Sequence, residues 1–228
     1  MQDQLPPFPG FQPAAFKFLK DLAQNNERDW FKPRKSTYDD EIVWPMHCLL
    51  AEAAREAGAR GLPLTAEPKK AMFRIYRDTR FSKNKAPYKT AAGAVLSRNG
   101  TRKSFGGVYV HLEPEQCFLA AGFWHPDNDK LRAWRNYMVE HQDDFLAMVD
   151  QLAASNLEIT SDESLKRLPR GYENYADTDI APYLKWKSFT VSLPVEESDM
   201  QQAAFIDEVV AFMQNVYPLL QFGWQTES

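Results

Sequence analysis

The apolar positions of this chain change period twice. Phe16, Leu19 and Leu22 recur at helical spacing and Asn25-Asn26 supplies a stop, which predicts a first helix. A second is predicted to begin near Pro33 and to run through Tyr38, Ile42, Met46, Leu49 and Ala53 to Gly58. Pro45 lies inside it, lacks an amide donor and clashes with the carbonyl of Glu41, so a kink or a break is expected there.

From residue 71 the pattern alternates. Placing Phe73 and Ile75 on the core puts Arg74 and Tyr76 on the opposite face of a strand near 71–77. Two hairpins follow: 91–98 with 101–112 through Asn99-Gly100, a type I′ turn signal, and 101–112 with 117–124 through Glu113-Pro114-Glu115-Gln116. The first turn sets a register that pairs 98 with 101, 96 with 103 and 94 with 105. On the long strand His111 faces away from Val108, Val110 and Leu112, alongside Tyr109.

Helical spacing then returns. Asp127 can cap a helix carrying Leu131, Trp134 and Met138, and Phe145, Met148, Val149 and Leu152 continue the pattern. Phe189, Val191 and Leu193 alternate as a late strand near 188–193. Ser198 with Gln201 reads as a capping box ahead of Phe205, Val209, Phe212 and Val216, with Pro218 ending that helix. Strands clustered in mid-chain between helices predict an α+β fold, an antiparallel meander of about five strands packed with helices from both ends.

Composition bounds the reading. A chain of 228 residues, 44% apolar and 25% charged, can bury roughly 70% of its unfolded surface and is expected to form a single domain, 1–228. The start, MQDQLPPFPGFQP, lacks a basic leader and apolar run, and no apolar run approaches the ~20 residues of a membrane span, which points to the cytoplasm. Cys48 and Cys117 fall on a helix and a strand and read as buried small hydrophobes rather than a disulfide framework. No Cys/His spacing matches a structural metal site.

The net charge of −4 argues against a generic nucleic-acid binder, but its distribution is uneven. Between Lys69 and Lys103 eleven Lys and Arg stand against one acid, Asp78, so this stretch carries ten net positive charges and the rest of the chain fourteen net negative. Like charges ~6 Å apart repel by about 3 kcal/mol at an effective dielectric near 20, so such crowding calls for a counter-charge. Arg74, Arg77 and Arg80 recur every third residue, and a guanidinium donates two parallel hydrogen bonds to phosphate or carboxylate. They can converge if the chain turns at Asp78-Thr79. Lys85 and Lys89 are further cations, Phe81 is read as a core anchor, and Tyr88 offers a hydroxyl to an anion.

The run Arg74, Arg77, Asp78, Arg80, Phe81, Lys85, Pro87, Tyr88, Lys89 resembles the domain of unknown function 2461 family, as do Gly106-Gly107-Val108-Tyr109, Ala121-Gly122-Phe123-Trp124-His125-Pro126, Pro169-Arg170-Gly171-Tyr172 and Lys187-Ser188-Phe189. The similarity covers about residues 9–222 and implies one domain, with no catalytic assignment.

The function expected from the residues is binding of a phosphate- or carboxylate-bearing small molecule by Arg74, Arg77, Arg80, Lys85, Tyr88 and Lys89. Neither a reaction nor a cofactor is specified. An enzymatic version draws on Asp78, Tyr109 or His125. The alternatives are a nucleic-acid-binding module, and an interaction domain whose basic segment is neutralised by its own acids, from Asp39-Asp40-Glu41 or Glu196-Glu197-Ser198-Asp199.

Overall fold

A computed structural model describes residues 5–227. Four strands form one open antiparallel sheet in the order β1 (Ala92–Leu96), β2 (Gly107–Leu112), β3 (Phe118–Phe123) and β4 (Phe189–Pro194), with helices before, between and after them. The α+β class is therefore as expected, with four strands rather than five. No helix among the described residues is long and apolar enough to cross a membrane.

The difference lies at 71–77. Pro68–Ala71 is a helical turn, and the residues after it pair only locally, through bridges Met72↔Ala94 and Tyr76↔Tyr88 and the bond from the Phe73 amide to the Gly93 carbonyl, 2.8 Å. The side chains follow the alternation all the same: Ile75 is buried, Phe73 half-buried, Arg74 and Tyr76 exposed.

Asn99-Gly100 does not make the two-residue hairpin. A type I′ turn needs positive φ at both residues, and here Gly100 has φ +71° while Asn99 is absent from the positive-φ set. Ser97 to Gly100 instead closes as a β-turn through the Gly100 amide and Ser97 carbonyl, 3.2 Å, with serine first and glycine last as a type I turn prefers. The Ser97 hydroxyl and Asn99 carboxamide both accept from the Thr101 amide, 3.1 Å each. The strand then resumes only at Gly107. The register is Ala94↔Val110 and Leu96↔Val108, not 94 with 105 and 96 with 103. At the second connection, the Gln116 amide donates to the Glu113 carbonyl, 3.0 Å, and Glu115 takes φ +66° after Pro114.

The chain divides into two compact units, one of residues 1–104, 108–119 and 194–212, the other of residues 105–107, 120–193 and 213–228. In the first, the Pro13–Gln24 helix buries Phe16, Leu19 and Leu22 and stops at Asn25. Arg28 to Val43 is a succession of short α, 3-10 and π turns, and the Trp44–Ala59 helix starts behind it with Pro45 in its first turn, where no amide donor is required. Val43 keeps helical angles, φ −68° and ψ −46°, so the disturbance expected at Pro45 takes the form of the wider π turn Asp39–Val43 just before it rather than a break. Cys48 and Cys117 are free and buried.

In the second unit Asp127 caps the Asn128–Glu140 helix by accepting from the Lys130 amide, 2.9 Å, and Leu131, Trp134 and Met138 turn inward. Trp134 stacks on Phe189 of β4 at 4.3 Å between ring centres. Gly122 lets β4 approach: a Cβ there would lie 2.1 Å from the Phe189 carbonyl oxygen. The Gly106-Gly107 pair marks close packing, Gly106 having φ +74° with Phe123 against it. The last helix, Phe205–Trp224, runs straight through Pro218 instead of ending there. Ser198 lies within a single turn, Glu197–Met200, whose cap Glu196 makes no side-chain bond, so the capping box is not formed.

Candidate functional site

The cationic segment belongs entirely to the first unit. At its tip the chain turns as expected. Asp78 accepts from the Arg80 amide, 3.2 Å, and grips its guanidinium with both oxygens, Nε to Oδ1 3.0 Å and Nη2 to Oδ2 2.7 Å. Those hydrogen bonds, with Arg74 nearby, hold the Asp78 carboxyl below the usual carboxylate range. Arg80 is thus engaged by its own neighbour. Lys85 donates its ammonium to the Thr79 carbonyl, 2.9 Å, and closes the loop. Arg77 is half-buried, its amide bonded to the Pro87 carbonyl, 2.9 Å.

The two aromatic rings of the loop exchange the roles expected of them. Phe81, read as the anchor, is 95% exposed and lies beside the Arg80 guanidinium, 5.8 Å from its ring centre. Tyr88, read as the open hydroxyl, is 3% exposed and stacks on Phe31 at 4.2 Å. Asn26 clamps the Tyr88 backbone from both sides, accepting from its amide and donating to its carbonyl, each at 3.0 Å. Tyr88 is therefore the anchor, because a ring with a backbone clamp and an aromatic wall loses more by leaving than a loop-tip ring does.

Lys89 forms the second focus. Its amide bonds to the Ile75 carbonyl, 2.7 Å, and its ammonium stands 5.3 Å from the Phe73 ring centre, a cation over an aromatic face. Burial, then the charges of Arg74 and Arg102, lower its proton affinity. Arg102 is fixed there by two carbonyls, Lys70 at 3.0 Å and Met72 at 3.1 Å. Among the described residues no carboxylate lies within ion-pair distance of Lys89. Of the acids named as neutralisers, Asp39 pairs with Lys35 and Glu197 with Lys20; of the segment's own cations, Lys70 pairs with Glu67 just outside it and Arg80 with Asp78.

Phe73 also meets Tyr109, the two rings edge-to-face at 5.9 Å. Here the alternation of β2 produces a hydrogen-bonded row. The Tyr109 hydroxyl meets His111 Nδ1 at 2.8 Å, His111 Nε2 meets Glu113 Oε2 at 2.9 Å, and Thr90 donates to Glu113 Oε1 at 3.2 Å. Burial, reinforced by Glu113, pushes the Tyr109 phenol up to about 12. Gly93, opposite His111 in the register, makes the seat: a Cβ there would lie 2.2 Å from the Tyr109 hydroxyl. Of this row the sequence pattern marks Tyr109 as a candidate, sets His111 beside it and places Glu113 in a turn. The spacing Tyr-x-His-x-Glu, period two on a strand, is the signal that would have joined them.

In the second unit, His125 has φ +45° and sends Nε2 to Asp162 Oδ2, 2.7 Å, while its amide donates to Ser188 Oγ, 3.1 Å. Trp124, 73% exposed, donates to the same Asp162 oxygen at 3.2 Å. Burial alone would raise the Asp162 carboxyl, but bonds from Ser188, His125 and Trp124 outweigh it and hold it low. Two segments noted for their resemblance, Trp124-His125 and Lys187-Ser188, are thereby joined through Asp162, which lies in an aperiodic stretch with no local signal. His111 and His125 belong to separate groups.

No curated protein and no solved structure matches the chain. The family described as conserved hypothetical protein (DUF2461) matches residues 14–222, and the chain belongs to that family.

Proposed function

We propose that the protein binds a small molecule carrying a phosphate or carboxylate, at Lys89 and the two guanidinium groups whose charge acts on it, Arg74 and Arg102, with Arg77 three residues along the chain from Arg74. The observation that carries this reading is Lys89, an ammonium laid on an aromatic ring with two guanidinium groups as its nearest charges and no carboxylate against it. An arriving anion relieves that repulsion, and Arg102 is already oriented by its carbonyls, so little side-chain freedom is lost on binding. Arg80 and Lys85 shape the loop, and Tyr88 anchors it.

The test is a titration of the full chain with pyrophosphate, a sugar phosphate and citrate, followed by thermal shift and calorimetry. A bound anion at 100 times its dissociation constant stabilises the fold by about 2.7 kcal/mol. Arg74→Ala and Lys89→Met should each weaken binding about tenfold or more. Because Lys89 gives up its proton below the ordinary lysine range, the affinity should fall as pH rises through that lowered value, before other lysines titrate. No shift with any of the three anions, or equal affinity in Lys89→Met, would end the proposal.

Phe81 favours a second reading. A fully presented ring flanked by Arg80, Lys83 and Lys85 suits a stacked base of single-stranded nucleic acid. Binding would then weaken with salt at a log–log slope near −0.7 per phosphate neutralised, and Phe81→Ala would abolish it.

A further inference from the structure

A carboxylate only accepts hydrogen bonds, so the neutral imidazole of His111 donates its Nε2 proton to Glu113 and keeps its lone pair on Nδ1. The 2.8 Å contact at Nδ1 is therefore a bond donated by the Tyr109 hydroxyl. We propose that Tyr109, His111 and Glu113 form a nucleophile, base and orienting acid, with a phenol as the attacking group, able to take an acyl group from an activated ester.

Each member is held by something other than the next. Phe118 stacks on the His111 ring at 4.4 Å and 19°, fixing its plane. Thr90 occupies the second oxygen of Glu113, 3.2 Å, so the first is left to the imidazole. Gly93 seats the phenol oxygen where any larger residue would displace it. A base oriented by an acid activates a hydroxyl nucleophile without lowering its pKa, which is how a protonated phenol is made to attack at neutral pH.

The step balances within the protein and its substrate. Tyr109 Oη bonds to the ester carbonyl carbon, the bond to the leaving oxygen breaks, and the phenol proton passes to His111 Nδ1. The imidazolium is then paired with Glu113. His111 gives that proton to the departing oxygen or to solvent and is neutral again. The tyrosyl ester is itself an aryl ester with a good leaving group, so water completes the cycle: His111 takes a proton from the water as its oxygen bonds to the acyl carbon, the bond to Tyr109 Oη breaks, His111 returns the proton to the phenolate, and the acid departs. Nothing in this depends on an anion at Lys89, so failure of the anion titration leaves it standing.

The probe is p-nitrophenyl acetate with the full chain at neutral pH. Expected are a burst of p-nitrophenolate approaching one equivalent and an acetyl group on the peptide containing Tyr109. Tyr109→Phe should abolish the burst. Glu113→Gln, which removes the group that sets the tautomer, should slow it about 10²-fold or more with an unchanged circular dichroism spectrum. The adduct map on the unaltered protein needs no variant to fold. Acetyl groups confined to lysines or to other tyrosines would overturn the proposal, as would an undiminished burst rate in a folded Glu113→Gln.

Discussion

Tyr88 and Phe81 stand seven positions apart in one loop and differ in exposure from 3% to 95%. Removing the Tyr88 ring takes away its stack on Phe31 and leaves a void, so Tyr88→Ala should cost about 3–5 kcal/mol in urea denaturation, against at most about 0.5 kcal/mol for Phe81→Ala. Comparable losses for the two would mean that the loop is not anchored at Tyr88. Alternation on a strand was enough to place Tyr109 with His111, and Arg74 with Tyr76 on an exposed side. It ends at Arg77, where the chain turns on Asp78, and beyond that point no period remains to say which aromatic ring goes in. Tyr88 is chosen by Phe31 and Asn26, partners roughly sixty residues away in the chain, and such pairings leave no mark in a local window.

Elements were legible wherever their own residues decide them. Asp127 is such a case: its side chain accepts from an amide that the helix leaves unsatisfied, so Asp127→Ala should lower stability by about 1 kcal/mol, read as a drop in thermal midpoint. An unchanged midpoint would mean that another group takes over the cap. Pro218 is the opposite case. An interior proline costs a helix about 3 kcal/mol, which predicts a stop. Yet Leu219 and Leu220 just beyond it are fully buried, each contributing roughly 1.5–3 kcal/mol, with Phe222 and Trp224 nearly so. Burial therefore outweighs the broken backbone bond, and the helix continues. Asn99-Gly100 misled for a related reason: Ser97 supplies a hydroxyl that competes for the Thr101 amide, and the favoured turn becomes one that leaves residues 98–106 outside the ladder.

At the scale of the whole molecule, the boundary between the two compact units passes through β3, after Leu119. Half a strand cannot keep its ladder alone, so we expect the chain to unfold as one cooperative domain. Tryptophan fluorescence and far-ultraviolet circular dichroism should give superimposable urea transitions; two separated midpoints would contradict this. The sheet order has a further consequence, in time rather than energy. β1, β2 and β3 are joined by short connections, whereas β4 reaches β3 only after residues 124–188. Closing so long a loop costs little extra free energy, since each doubling adds only about 0.6 kcal/mol. During synthesis, however, β3 emerges well before its partner, and at about 5–20 residues per second its apolar edge waits unpaired for several seconds. The ribosome-bound chain is then most open to strand-to-strand association with its neighbours, and the arrival of Phe189 over Gly122 is the event that closes that interval.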